Sequence, residues 1–90
     1  MIRIEAGVAH LDGDLTLANA SQWLTASEAA LREGALTFDL AQIGQLDSSA
    51  LSLMLSLRRR AQAAGTAVEF RHIPESLASL AKLYGVDDQI

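Results

Sequence analysis

A strand-like pattern and a helix-like pattern meet at residues 44–51, Gly-Gln-Leu-Asp-Ser-Ser-Ala-Leu (GQLDSSAL). Asp47, Ser48 and Ser49 are residue types that cap helices, so a helix should begin among them. Its first turn carries about four unpaired N–H groups and a partial positive charge, which suit an anion, a phosphorylated hydroxyl or an acidic partner. The simpler alternative is that Ser48 or Ser49 only caps the helix.

The helix that follows is predicted over residues 48–64, with Gly65 as its stop. A core stripe recurs at three- and four-residue spacing: Ala50, Leu53, Met54, Leu57, Ala61 and Ala64. Leu51 and Leu55 form a second stripe, offset by roughly a quarter turn or more. Either the helix lies deep in the domain or one stripe faces a partner, and the pattern leaves both open. Arg58, below Leu51 and Leu55, is the best candidate for the rim of such an interface.

Strands and helices are predicted to alternate along the rest of the chain. We predict two hairpin strands, residues 2–5 and 8–11, which residues 12–14 end. A helix capped by Thr16 follows over residues 17–32. Two further strands (35–40 and 66–71) and a last helix (74–84) complete the prediction. The strands flanking the central helix should be parallel. We predict one α/β domain over residues 1–90: a mixed sheet of four to five strands, with an N-terminal hairpin and helices mainly on one face.

The composition favours a binding module over a free-standing enzyme. Half of the 90 residues are hydrophobic, yet only four are aromatic: Trp23, Phe38, Phe70 and Tyr84. The core must therefore consist mainly of Leu, Ala, Ile and Val, with Trp23 placed in it by helical spacing. Apolar residues beyond the capacity of one small core tend to form an interface.

Charge and cysteine content exclude several classes of function. The net charge of −4 argues against nucleic-acid binding, and Arg58, Arg59 and Arg60 point in three directions on a helix, so they predict no basic patch. The absence of cysteine excludes disulfides, thiolate zinc sites and cysteine nucleophiles. No apolar run has the length of a signal peptide or a membrane span. We therefore expect a cytoplasmic protein that reaches a membrane only through a partner.

No catalytic, cofactor or metal site is predicted. Glycine-rich phosphate loops and a nucleophile elbow are missing from the sequence. His10 and His72 stand alone, and each is read as a surface histidine or one with satisfied hydrogen bonds. Asp12 and Asp14 form an ordinary turn with Gly13 between them.

Two segments resemble known proteins. Asp47-Ser48-Ser49-Ala50-Leu51 resembles the Asp-Ser/Thr-Ser/Gly-Gly/Ala-Leu signature of STAS domains, which occur in anti-sigma-factor antagonists and at the cytoplasmic ends of sulfate transporters. The segment from Leu77 to Val86 contains LAKLY and resembles the close of MlaB-type proteins, the STAS subunits of the Mla phospholipid-trafficking ABC transporter. The resemblance covers nearly the whole chain and implies the STAS fold.

The MlaB resemblance implies a non-enzymatic subunit at the inner membrane. Such a subunit binds and stabilises or regulates the cytoplasmic ATPase of the transporter, in a system that serves outer-membrane lipid asymmetry. On this reading the hydroxyl residue at Ser48 lies where the domain docks. The predicted partner-binding residues are Asp47, Ser48, Ser49, Leu51, Leu55 and Arg58.

The STAS resemblance also implies an alternative, an anti-sigma-factor antagonist. In those proteins a partner serine kinase phosphorylates the first hydroxyl residue after the aspartate, which is Ser48 here. Ala50 replaces the glycine common in the antagonists, a departure from that sub-family. A homodimer through the same apolar stripe of the central helix is a further arrangement that the pattern allows.

Overall fold

The chain folds into four strands and three α-helices in a computed structural model that describes all 90 residues. In chain order the elements are β1 (Ile2–Glu5), β2 (Val8–Leu15), α1 (Ala20–Arg32), β3 (Thr37–Leu46), α2 (Ser48–Ala63), β4 (Glu69–Arg71) and α3 (Glu75–Leu83). A short 3-10 helix, Asp87–Gln89, closes the chain. None of the helices combines the length and the apolar character that crossing a bilayer requires.

The sheet has the order β1-β2-β3-β4. β1 and β2 are antiparallel and are joined by a tight turn in which Ala6 and Gly7 both have positive φ, 51° and 79°. That turn matches the twist of the two strands, so the predicted hairpin is confirmed. β3 pairs in parallel with β2 on one side and with β4 on the other, as the crossover predicted.

The helices cover one face of the sheet. Ala9 on β2 lies beside Phe38 on β3, and Phe38 lies beside Phe70 on β4, all facing the helices. The next residues, His10 and Asp39, point to the opposite face, because successive side chains in a strand alternate. The predicted α/β class, mixed sheet and one-sided helix layer are therefore confirmed.

α2 lies between α1 and α3 and is the central helix of the layer. Five residues of its predicted core stripe are buried: Ala50, Leu53, Met54, Leu57 and Ala61. Ala64 was expected in the stripe but is exposed, because α2 ends at Ala63 and Ala64 is its C-cap. Leu51 of the second stripe keeps only 5% of its surface exposed, and Leu55 is half-buried against the core. Of the two arrangements left open, the deep helix is therefore the one observed.

The loop before α1 differs from the prediction. β2 continues through Asp12 and Gly13 to Leu15, which pairs with Leu46 of an equally extended β3. α1 begins at Ala20, with Asn19 rather than Thr16 as its N-cap. The Asn19 carboxamide accepts the Thr16 N–H at 2.9 Å and donates to the Asp14 carbonyl at 2.8 Å, so it closes this loop.

Trp23 is a core residue, as predicted, and is 1% exposed. Its Nε1–H donates to the carbonyl oxygen of Asp14 at 2.8 Å, which satisfies its polar atom in the core. Gly13 faces the same ring, since a Cβ at that position would lie 3.7 Å from Trp23 Cζ2. Trp23 therefore fixes α1 against the carboxyl end of β2.

Candidate functional site

Asp47 joins the start of α2 to the loop that follows β2. Its Oδ1 accepts the Ser49 N–H at 2.8 Å, which makes Asp47 the N-cap, within the Asp47–Ser49 range predicted for the helix start and in place of the Ser48 or Ser49 cap considered there. Its Oδ2 accepts the backbone N–H of Leu17 at 3.0 Å. The Asp47 N–H donates in turn to the Leu15 carbonyl at 3.3 Å. One residue thus fixes two segments that are far apart in the chain.

The Asp47 carboxyl is held in its charged form. The hydrogen bond from the Leu17 N–H, followed by the one from the Ser49 N–H, holds the pKa of the Asp47 carboxyl below its usual value. A carboxylate at a helix N-terminus also interacts favourably with the helix dipole. The chain therefore supplies its own anion to the first turn of α2.

Ser48 is left free by this arrangement. It is the first residue of α2 and is exposed, and its hydroxyl makes no hydrogen bond within the chain. Ser49 is half-buried and contributes its backbone N–H to the Asp47 cap. Because Asp47 is the cap, Ser48 has no capping role, and its hydroxyl is accessible to a partner or a modifying enzyme.

The solvent-facing stripe of α2 differs from the one predicted to bind a partner. Ser48, Ser52, Leu55 and Arg59 recur at spacings of four, three and four, and all except the half-buried Leu55 are exposed. The predicted Leu51 is a core residue, and its side chain is not available at the surface. We correct its role to a structural one. Arg58 is half-buried and lies beside this stripe.

A shallow cleft of about 270 Å³ lies beside Ser49 and Ser52, between the N-terminal halves of α1 and α2. Its lining is mostly small or apolar: Leu17, Ala20, Ser21, Leu24, Ser49, Ser52, Leu53 and Ser56. Leu17 stands at this site with 80% of its surface exposed. Sequence reasoning missed the cleft, although Ser49, Ser52 and Ser56 follow a helical spacing that would have indicated a small-residue face.

A second carboxylate, that of Asp14, lies against Gly44 and contacts the same loops. Asp14 Oδ1 accepts the Gln45 N–H at 2.8 Å. A Cβ at position 44 would lie only 2.5 Å from the same Oδ1 atom. Asp14 and Asp47 together therefore tie the carboxyl ends of β2 and β3 to each other, beside the start of α2.

A separate group of ionisable side chains lies on the uncovered face of the sheet. Asp39 is 13% exposed, with His72 Nδ1 3.0 Å from Oδ1 and His10 Nδ1 3.6 Å from Oδ2. The Ala41 N–H, at 2.9 Å, and the hydrogen bond to His72 hold the pKa of the Asp39 carboxyl below its usual value. The two histidines, which stand alone in the sequence, therefore both lie against Asp39 in the fold. No group of three or more such residues is arranged to hold a metal ion.

A family comparison identifies the domain. Residues 2–90 match a family model described as "Mlab, STAS domain". The chain belongs to this STAS domain family. The resemblance carried by the Asp47–Leu51 motif is thereby confirmed over nearly the full length of the STAS domain. STAS domains are protein-interaction modules.

Solved structures show the same fold. A proposed anti-sigma factor antagonist from Thermotoga maritima superposes with a TM-score of 0.76 and 17% identity, over 98% of this STAS domain and 80% of that chain. The anti-sigma factor antagonist SpoIIAA in its unphosphorylated form gives a TM-score of 0.67 and 18% identity, over 92% of this STAS domain and 81% of that chain. Part of the longer protein Mglu superposes with a TM-score of 0.60 and 30% identity, over 83% of this STAS domain and 19% of that chain. No protein with a curated description matches the sequence.

Proposed function

We propose that this STAS domain is a non-enzymatic subunit that binds the cytoplasmic ATPase of a phospholipid-transporting ABC system. The family match supports this assignment, because its description names the Mlab type of STAS domain. In this role the domain stabilises or regulates the ATPase and contributes to outer-membrane lipid asymmetry. It is cytoplasmic and lies at the inner membrane through its partner.

The observation that carries the proposal is the freedom of Ser48. Asp47 takes the capping role, which leaves the Ser48 hydroxyl exposed and without a hydrogen-bond partner at the start of the central helix. Ser52 lies one turn further along the same exposed face. Two small polar residues on one helix face allow a partner backbone or side chain to approach closely and to exchange hydrogen bonds with them.

Apolar contacts flank the two serines. Leu17 is highly exposed on one side, and the half-buried Leu55 lies further along α2. Tightly bound interfaces combine a few buried apolar anchors with a polar rim. The cleft of about 270 Å³ beside Ser52 has room for one large apolar side chain of the ATPase. The docking surface therefore consists of Leu17, Ser48, Ser52 and Leu55.

The alternative is an anti-sigma-factor antagonist that is switched by phosphorylation of Ser48. The same exposed hydroxyl favours it, and so does the fold shared with SpoIIAA, described in an unphosphorylated form. A phosphate on Ser48 brings up to two negative charges next to the ionised Asp47. Like charges placed in a contact surface weaken binding, so the modification would release a partner.

Affinity capture of the tagged protein distinguishes the two functions. The protein is purified from detergent-solubilised cells of its own organism, and co-purifying proteins are identified by mass spectrometry. Recovery of an ABC ATPase with its membrane permease supports the transporter function. Recovery of a serine kinase, with an added phosphate on Ser48 by intact mass, supports the alternative. Recovery of untagged copies of the same chain alone contradicts both and indicates a homodimer.

A further inference from the structure

Basic side chains gather where α1 and α2 end. Arg32 lies in the last turn of α1, and Arg59 and Arg60 lie near the end of α2. Arg32 and Arg59 are exposed, and neither has a carboxylate within 4 Å. Arg60 Nη1 lies 2.7 Å from Glu28 Oε2, but the Arg60 side chain remains 51% exposed.

A cleft of about 430 Å³ lies among these residues, between the C-terminal ends of the two helices. Its lining consists of Glu28, Leu31, Arg32, Arg60, Ala63, Ala64 and Thr66. A smaller cleft lined by Ser56, Arg59, Arg60 and Ala63 adjoins it. Because the two share Arg60 and Ala63, they form one surface, which we call the arginine cleft. Arg59 and Arg60 diverge on the helix, yet both line this surface, to which α1 contributes Arg32.

The arginine cleft has the opposite sign to the chain as a whole. Three arginines and one glutamate give it a formal charge of +2, whereas the chain carries −4. By contrast, Arg3 and Arg71 on the sheet are each paired with a nearby glutamate. A patch of one sign on a protein of the other sign favours partners that carry the complementary charge.

Helix stability explains only part of this arrangement. Arg32 and Arg60 lie in the last turns of their helices, where a cation interacts favourably with the helix dipole. Arg59 is outside the last turn, and its polar contact is with Ser56 Oγ at 3.3 Å. A purely structural role therefore leaves Arg59 without an explanation.

We propose that the arginine cleft binds an acidic segment of a partner polypeptide. Carboxylates of the segment pair with Arg32, Arg59 and Arg60, whose planar guanidinium groups bind carboxylates through two parallel hydrogen bonds. A small apolar side chain between the acidic residues packs against Leu31 and Ala63. The cleft is open and extends across the ends of both helices, which favours a chain segment over a single bound anion.

A lipid surface is the less suitable occupant. The cleft contains three arginines, fewer than the roughly 4–8 basic residues typical of segments that bind anionic lipid. No aromatic residue lines it, although Trp and Phe are common on the apolar side of helices that lie in membranes. This second surface lies at the opposite end of α2 from Ser48, and the proposal for it holds whichever partner Ser48 binds.

The test uses a fluorescein-labelled peptide of three Glu-Leu-Glu-Ala repeats and a matched peptide with glutamine in place of glutamate. Fluorescence anisotropy measures their binding to the purified full chain. The glutamate peptide should bind at least about tenfold more tightly, and its affinity should fall as salt is raised, because exposed charges are screened. Backbone amide signals of Leu31, Ala63 and Thr66 should shift in NMR spectra on titration.

The double variant Arg32→Gln/Arg59→Gln should weaken the glutamate peptide about fivefold or more, since two charged contacts are lost. The control Arg3→Gln/Arg71→Gln removes the same charge from the sheet and should stay within about twofold of wild type. Three results would overturn the proposal: equal weakening by both variants, equal binding of the glutamine peptide, or arginine-dependent capture by vesicles of anionic phospholipid without peptide binding.

Discussion

Asp47 Oδ2 accepts a hydrogen bond from the Leu17 backbone N–H at 3.0 Å, although the two residues are 30 positions apart. The other carboxylate oxygen accepts the Ser49 N–H, so one side chain connects the loop before α1 to the first turn of α2. This connection places the exposed Leu17 near the face of α2 that carries Ser52. The stability of the start of α2 and the shape of the proposed docking surface therefore depend on the same carboxylate.

Replacing Asp47 by alanine should lower the melting temperature by a few degrees, because two backbone N–H groups lose their acceptor. Asp47→Asn should lie between alanine and wild type, since asparagine is a good N-cap but has one acceptor oxygen instead of two. Circular dichroism on heating measures the order of the three proteins. An alanine variant as stable as wild type would show that the carboxylate does not hold these segments together.

The stability that Asp47 contributes should depend on pH. Because its folded-state pKa lies below the unfolded value of about 3.9, the contribution is complete above roughly pH 5 and is lost as the pH falls through the folded pKa. The difference in unfolding free energy between wild type and Asp47→Ala should therefore shrink in acid. Urea unfolding at pH 7 and at about pH 3 measures it. A difference that grows in acid would contradict the assignment.

Leu51→Ala should destabilise the domain by about 2–5 kcal/mol, because it removes a buried side chain from the core of α2. Leu17→Ala is the matched control, and it should change the stability by less than about 0.5 kcal/mol, since Leu17 is almost fully exposed. Urea unfolding followed by circular dichroism compares the two. If Leu51→Ala is as mild as the control, Leu51 belongs to the surface after all.

Ser27→Ala should stabilise the domain by about 1 kcal/mol. The Ser27 side chain is fully buried in α1, and its hydroxyl has no hydrogen-bond partner among the protein atoms. A buried polar atom without a partner loses its hydration and gains nothing in return, and alanine is also the better helix former. Thermal unfolding tests this expectation. A lower melting temperature would indicate that the hydroxyl has a partner in solution, such as a buried water.

Local sequence signals predicted α2 well and the loop before α1 poorly. The cap at Asp47 and the stop at Gly65 depend on residues next to each other, and α2 begins and ends within one residue of the prediction. β2 instead continues through Asp12, Gly13 and Asp14, which are poor strand formers, because the long β3 strand pairs with Asp12 and Gly13 and, after a register shift, with Leu15. Pairing with β3 therefore sets the end of β2, and the local sequence pattern does not predict it.

The exposed position of Ser48 at the start of α2 agrees with the sequence pattern, whereas its role in binding stays a prediction and the placement of its neighbours was not foreseen. Leu51 and Leu55 lie on one stripe in the sequence pattern. In the fold Leu51 is buried and Leu55 is only half-buried, because α2 packs between α1 and α3. Leu17 was assigned to a helix and instead lies exposed in a loop. Side chains of distant segments meet only through the sheet register, as His10 and Asp39 do, and a single sequence does not reveal that register.

The most direct test of the docking surface places an arginine on it. Ser52→Arg alters the exposed face of α2 beside Ser48, and Ser79→Arg makes the same change on the exposed surface of α3. Both variants should melt at the wild-type temperature, since neither touches the core. We predict that affinity capture recovers the ABC ATPase with Ser79→Arg and wild type but not with Ser52→Arg. Recovery of the ATPase in equal amounts with all three proteins would contradict the assignment of this face.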